Sequence, residues 1–220
     1  MLVCGQTHMW RAGLSILLIA YIPGALMLRL PVGRRALRAA LPAEERLFWS
    51  IIISVALSSI VALGLAACGA YRFDRLLWIE GGLSLALALA NRRQLVWRAE
   101  APKPGWTAVF PAALVFVGCA LFFSMQPAEW IIGGRDPGIY MNEGIQISQR
   151  GSLVVTDPTV TAVPTEFRPL FFPPQPPTEW GYESRRFLGF FVLDFVAGTV
   201  VGQFPHLYPV WIAIGYDLNG

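Results

Sequence analysis

The chain has 220 residues, 55% of them apolar and only 14% charged, with a mean hydropathy of +0.53 and a formal charge of +3. A soluble domain carries about 25% charge, which excludes that class, and eight Trp with fourteen Phe exclude a solvated coil. No Lys/Arg run is interleaved with aromatics, so nucleic acid is not an expected partner. The apolar residues stand in long uncharged runs, the pattern of a chain whose solvent is partly lipid. Cys4, Cys68 and Cys119 have neither ligand spacing nor that of a disulfide framework, and read as small packing residues.

A membrane-crossing helix needs about 20 apolar residues. Residues 12–28 are the first candidate, uncharged and interrupted by Pro23-Gly24, which predicts a kink. Residues 47–70 are the clearest candidate and carry no charge. Residues 76–91 are shorter and contain Glu80, while residues 106–125 are again uncharged. Residues 1–125 thus read as a block of about four transmembrane helices. Glu80 has two readings: a functional intramembrane acid, or a side chain near its helix end that reaches the interface.

The loops orient these helices. Arg29, Arg34, Arg35, Arg38 and Arg46 lie before the second span, and Arg92, Arg93, Arg98 and Lys103 before the fourth, against Glu44, Glu45 and Glu100. Both loops are therefore expected on the cytoplasmic side. The N-terminus and the Tyr71–Arg75 turn then lie outside, although that turn is basic. Everything after Met125 begins on the external face, and residues 126–204, with eight acids against five Arg, have the matching balance.

In this external region Asp136-Pro137 is a strong helix start. It predicts a short amphipathic helix to about Arg150, stopped by Gly151 and lying at the membrane surface. Ser152–Val155 is strand-like and ends at Asp157-Pro158. The six prolines of residues 163–177 exclude a regular helix or a central strand there. The interleaved Phe167, Phe171 and Phe172 suggest that this loop packs down. Residues 187–204 predict a β-hairpin around Ala197-Gly198, with a short span as the alternative. Residues 205–220 read as the start of a fifth membrane or interfacial helix. About 24 Å of helix follows Pro205, against a hydrocarbon core of about 30 Å. The expectation is an N-terminal portion of a longer protein, inactive by itself.

The pattern Gly134-Arg135-Asp136-Pro137-Gly138-Ile139-Tyr140, with Gly144-Ile145 and Arg150-Gly151-Ser152, resembles the first external loop of GT-C type membrane glycosyltransferases. These include the protein mannosyltransferases and the lipid A aminoarabinose transferases. Pro205-His206-Leu207-Tyr208-Pro209 followed by Ala213-Ile214-Gly215 resembles the His/Pro/aromatic segment that opens a later helix in that family. The resemblance covers about Gly133 to Gly220. It implies transfer of a sugar, with inversion, from a polyprenyl-phosphate donor to a glycan, lipid or protein acceptor outside the cell membrane.

On that resemblance Asp136 is the catalytic carboxylate, placed within reach of the attacking acceptor group, and a candidate ligand of a divalent metal; the plainer reading is a helix cap. Arg135 is a candidate for the lipid phosphate, or a surface Arg at headgroup level. Glu143 is a candidate for binding a metal or acceptor, or lies on a solvated helix face. His206 donates to the phosphate, or is an interfacial His. Tyr140 and Tyr208 are ligand contacts or interfacial anchors, and Asp157 is a second acid or a turn former. The rival class is a non-catalytic membrane scaffold or enzyme remnant. A transporter would rest on Glu80 and the Pro23-Gly24 break alone, without a repeat of broken helices.

Overall fold

The computed structural model describes residues 2–30, 41–92, 114, 117, 118, 136–173, 186, 187 and 189–219. Most of them are helical. The chain divides into two compact units: Met1–Ser58 with Leu77–Glu129, and Ser59–Leu76 with Trp130–Gly220.

The first unit contains α1 (Leu2–Ala20), α2 (Ile22–Leu28) and parts of α3 (Ala43–Ala67) and α4 (Phe73–Ala90). The kink expected at Pro23 is a break at Tyr21 between α1 and α2. Proline has no N–H, so the Ile19 carbonyl, four residues earlier, loses its helical donor. Ser58 Oγ donates to that carbonyl at 2.9 Å, and the Gly24 N–H donates to Ser54 Oγ at 2.8 Å. Ser50, Ser54 and Ser58 recur every four residues on one face of α3 and are all buried. A side chain at Gly24 would overlap the Ser50 carbonyl and the Ser54 amide. Small residues thus allow backbones to approach and hydroxyls to replace the lost ladder bonds. Asn91 Nδ2 donates to the Leu26 carbonyl at 3.0 Å, serving the end of α2 in the same way.

Two helices, Trp10–Leu28 and Ala43–Ala67, are long and apolar enough to cross a membrane, and they match the first two expected spans. The third expected span is the helix α4, but Asp74, Arg75 and Glu80 keep it below that standard. The fourth, residues 106–125, lies outside the described residues apart from 114, 117 and 118. Glu80 does not reach an interface: it is fully buried, with Oε1 accepting from Ser58 Oγ at 3.0 Å.

The second unit holds α5 (Asp136–Arg150), β1 (Val154–Thr156), α6 (Pro158–Ala162), a 3₁₀ turn at Thr165–Phe167 and α7 (Arg168–Phe171). There follow β2 (Arg186–Phe187), β3 (Phe190–Asp194), β4 (Thr199–Gly202) and α8 (Leu207–Asn219). The strands form one antiparallel sheet in the order β1-β4-β3-β2. The expected hairpin is β3–β4. Asp194 Oδ1 accepts from the Val196 and Ala197 amides at 2.7 and 3.2 Å, and Gly198 takes φ +67° to close the turn. Val155, Val160, Phe172 and Val200 form a small core, with Val155 and Val200 paired across the sheet. The prolines of residues 163–177 do not exclude helix as expected, since a 3₁₀ turn and the single-turn α7, with Pro169 tolerated in its first turn, lie there; of its phenylalanines Phe172 packs down fully, while Phe167 and Phe171 are exposed. Asp157 is the N-cap of α6, its Oδ1 accepting from the Thr159 amide at 2.9 Å, as the turn-former reading expects.

Candidate functional site

Helices α5 and α8 pack side by side and run in the same direction. Gly144 faces Ile212 and the Pro209 carbonyl, and further along Ser148 Oγ donates to Asp217 Oδ1. The sequence of α5 explains its buried stripe: Ile139, Glu143 and Ile147 recur every four residues, and all three are buried. The Glu143 side chain is 0% exposed, which corrects the expectation of a solvated helix face.

Among the described residues this buried carboxylate has one hydrogen-bond partner. His206 Nδ1 lies 2.5 Å from Glu143 Oε1, 63 residues away in sequence. The contact occupies Nδ1 and leaves Nε2 for chemistry; against an ionised carboxylate, which only accepts, the ring donates through Nδ1. The imidazole is 29% exposed, enough for a ligand to reach it. Glu143 Oε2 is buried without a hydrogen-bond partner among the described residues. Gly202, at the end of β4, lies against this carboxylate so closely that any Cβ would overlap it. The Tyr140 ring stands 5.0 Å from Phe204 and 5.3 Å from Tyr208, so aromatic rings flank the His206 segment.

Of the residues expected to form the site, the structure brings Glu143, His206 and Tyr140 into one neighbourhood. Asp136 is exposed at the first position of α5, about 10 Å along the helix from Glu143. Arg135 lies outside the described residues. Among the described residues no three His, Cys, Asp or Glu side chains converge as metal ligands. The spacing Ile139-x-x-x-Glu143-x-x-x-Ile147 already put Glu143 on the apolar stripe. Sequence reasoning overlooked Gly202, whose role depends on a partner 59 residues away. It also overlooked a polar groove of about 180 Å³ between α5 and the sheet, where Asn142, Gln146 and Gln149 face Phe190.

The unit is tied to the end of α3. The Tyr71 amide donates to the Gly151 carbonyl at 3.0 Å, the Leu153 amide to the Ala66 carbonyl at 3.1 Å, and Trp211 Nε1 to Ser59 Oγ at 3.0 Å. Gly151 has φ +74° and its α-carbon abuts the Tyr71 carbonyl, so glycine there both ends α5 and admits the turn. Tyr71 is 1% exposed, and its hydroxyl donates to Asp217 Oδ2 at 3.0 Å. Burial first, then the Asp217 charge and this hydrogen bond, push the phenol above the ordinary tyrosine range. Folding therefore favours the neutral phenol. Its contribution is fully present below about pH 10 and is lost as pH rises from there towards the folded pKa. Unfolding in mild detergent is expected to show stability falling above about pH 10, by up to about 1.4 kcal/mol per pH unit. Tyr71→Phe is expected to remove that slope and to cost about 1 kcal/mol at neutral pH. An identical alkaline slope in the variant would show that another group titrates.

No known protein family, no curated protein and no solved structure matches this chain significantly.

Proposed function

We propose that this chain contributes to a multi-pass membrane glycosyltransferase that moves a sugar from a polyprenyl-phosphate donor to an acceptor on the external face. The observation that carries this reading is the Glu143–His206 pair. Two segments that resemble separate motifs of such enzymes, 63 residues apart, meet at a buried carboxylate and a reachable imidazole. Attachment of the same unit to the end of α3, a helix apolar enough to span, supports a site at membrane level.

In this reading Glu143 holds the imidazole with Nδ1–H towards itself, and Nε2 faces the reactants. As the acceptor oxygen bonds to the anomeric carbon, the bond from that carbon to the phosphate oxygen breaks. The acceptor proton passes to Nε2, and Glu143 stabilises the imidazolium that results. Attack opposite the leaving group inverts the anomeric centre. Asp136, exposed at the mouth of α5, binds hydroxyls of the sugar or acceptor, and the amide-lined groove beside Phe190 receives the rest of a glycan acceptor. Four spans, with the N-terminus and this unit outside, complete the reading from the loop charges.

The test uses membranes from cells expressing the protein, supplied with radiolabelled polyprenyl-phosphate sugars. Label is followed into lipid, glycan and protein fractions. Transfer is expected with one of the donors, and a clear loss with Asp136→Asn at equal expression. Undiminished transfer in that variant would remove Asp136 from the site. No transfer with any donor would favour a non-catalytic scaffold.

A further inference from the structure

At the end of α5 opposite Asp136, the turn between α3 and α4 walls a cavity of about 480 Å³. Arg72, Arg75 and Arg150 all line it, together with Ser148 and Gln149. We propose that this cavity is a binding site for a phosphate-bearing anion, separate from the Glu143–His206 pair. It does not rest on the glycosyltransferase reading. Arg150 is seven residues beyond Glu143, about 10 Å along the helix.

The three guanidinium groups are exposed at this polar cavity; water screens part of their mutual repulsion, and a bound anion relieves the rest. The acids beside these residues are Asp74, in the first turn of α4, and Asp217 of α8. Asp217 is engaged from behind the wall, since its two carboxylate oxygens accept from Tyr71 and Ser148. Two of the arginines are held in place by the backbone. Arg75 Nη1 donates to the Ala70 carbonyl at 2.6 Å and Arg150 Nη1 to the Thr156 carbonyl at 3.1 Å. Each leaves further N–H groups for a ligand. The Arg72 carbonyl accepts from the Leu76 amide at 3.0 Å, but its side chain makes no hydrogen bond among the described residues, so its whole fork is available. Guanidinium forks match carboxylate and phosphate oxygens alike. Three of them suit a phosphate, which carries more charge and more acceptor oxygens than a carboxylate.

The position narrows the source. The cavity lies at the C-terminal end of α3, where a spanning helix meets the headgroup layer, so a lipid phosphate and a soluble phosphate are both within reach. In the orientation read from the loops, this turn is the basic exception on the outer face. A bound anion gives that exception a physical reason.

The experiment uses the purified chain in an uncharged maltoside detergent. Inorganic phosphate and pyrophosphate are titrated by calorimetry, and phosphatidylglycerol and phosphatidylcholine by native mass spectrometry. Saturable binding is expected, weakened about tenfold or more in Arg72→Gln and by less in Arg72→Lys, which keeps the charge but loses the fork. Saturation by the soluble anions identifies a soluble ligand. Saturation by phosphatidylglycerol alone identifies a headgroup. Circular dichroism establishes that both variants are folded, and Arg72 makes no bond that folding needs. Absence of saturable binding in every titration, or equal affinity in Arg72→Gln, would overturn the proposal.

Discussion

His206→Gln is expected to lower sugar transfer by about 10²- to 10⁴-fold, the range for losing a positioned proton acceptor. Glutamine keeps a polar side chain of similar reach but cannot take up the proton of the attacking hydroxyl. The loss belongs in kcat, with KM little changed, because the proton moves only as the acceptor attacks. Glu143→Gln removes the charge that holds Nδ1–H and stabilises the imidazolium, while nearly preserving the volume beneath Gly202. Its effect is expected to be of the same order, and the double variant little worse than either single one, since both groups act on one proton. Radiolabel transfer in membranes, with initial rates over a range of acceptor concentrations, separates the two parameters. Full activity in His206→Gln would assign the pair a purely structural role.

The second large effect is expected from Gly202→Ala. The added methyl would overlap both oxygens and the carboxyl carbon of Glu143. The strand cannot yield easily, because β4 is paired on both sides, with Gly202 opposite Phe190 in β3 and Val201 opposite Val154 in β1. Helix α5 cannot yield easily either, since Gly144 is pressed against Ile212 and the Pro209 carbonyl. The carboxylate must therefore swing away and lose the 2.5 Å contact with His206. A cost of about 1–3 kcal/mol is expected, as for other overpacked sites, together with loss of transfer. Adding Glu143→Asp, which withdraws the carboxylate by one methylene, is expected to restore stability in a non-additive way. Thermal unfolding of the four proteins in detergent measures the coupling. Additive losses would show that the methyl is accommodated elsewhere.

Much of the local structure was legible in the residues. Pro137 and Gly151 mark the two ends of α5 because a fixed φ and a positive φ are properties of single positions. Apolar length identifies Trp10–Leu28 and Ala43–Ala67 in the same way, and β-branched and aromatic runs around Gly198 identify the hairpin. Pro23 announced a break, but not that Ser54 and Ser58 from another helix would repair it. The limits follow from the same physics. Phe167, Phe171 and Phe172 are alike in the sequence, yet the core has room for Phe172 alone.

Glu143 shows the division most clearly. Its spacing from Ile139 and Ile147 put it on a buried stripe, but a charged residue there reads equally as a solvated face until a partner is known. That partner, His206, reaches it only because α5 and α8 are brought together in the same direction after the intervening sheet. Arg72, Arg75 and Arg150 show the same limit, being two turn residues and a helix end until one cavity gathers them. By itself the sequence determined that the chain is rich in apolar helices, where several of them start or stop, and which polar and charged residues they carry. Only the tertiary structure decided which of those residues meet. Caps, kinks and apolar length are set within a turn or two of chain, whereas a site is set by which distant segments share a core.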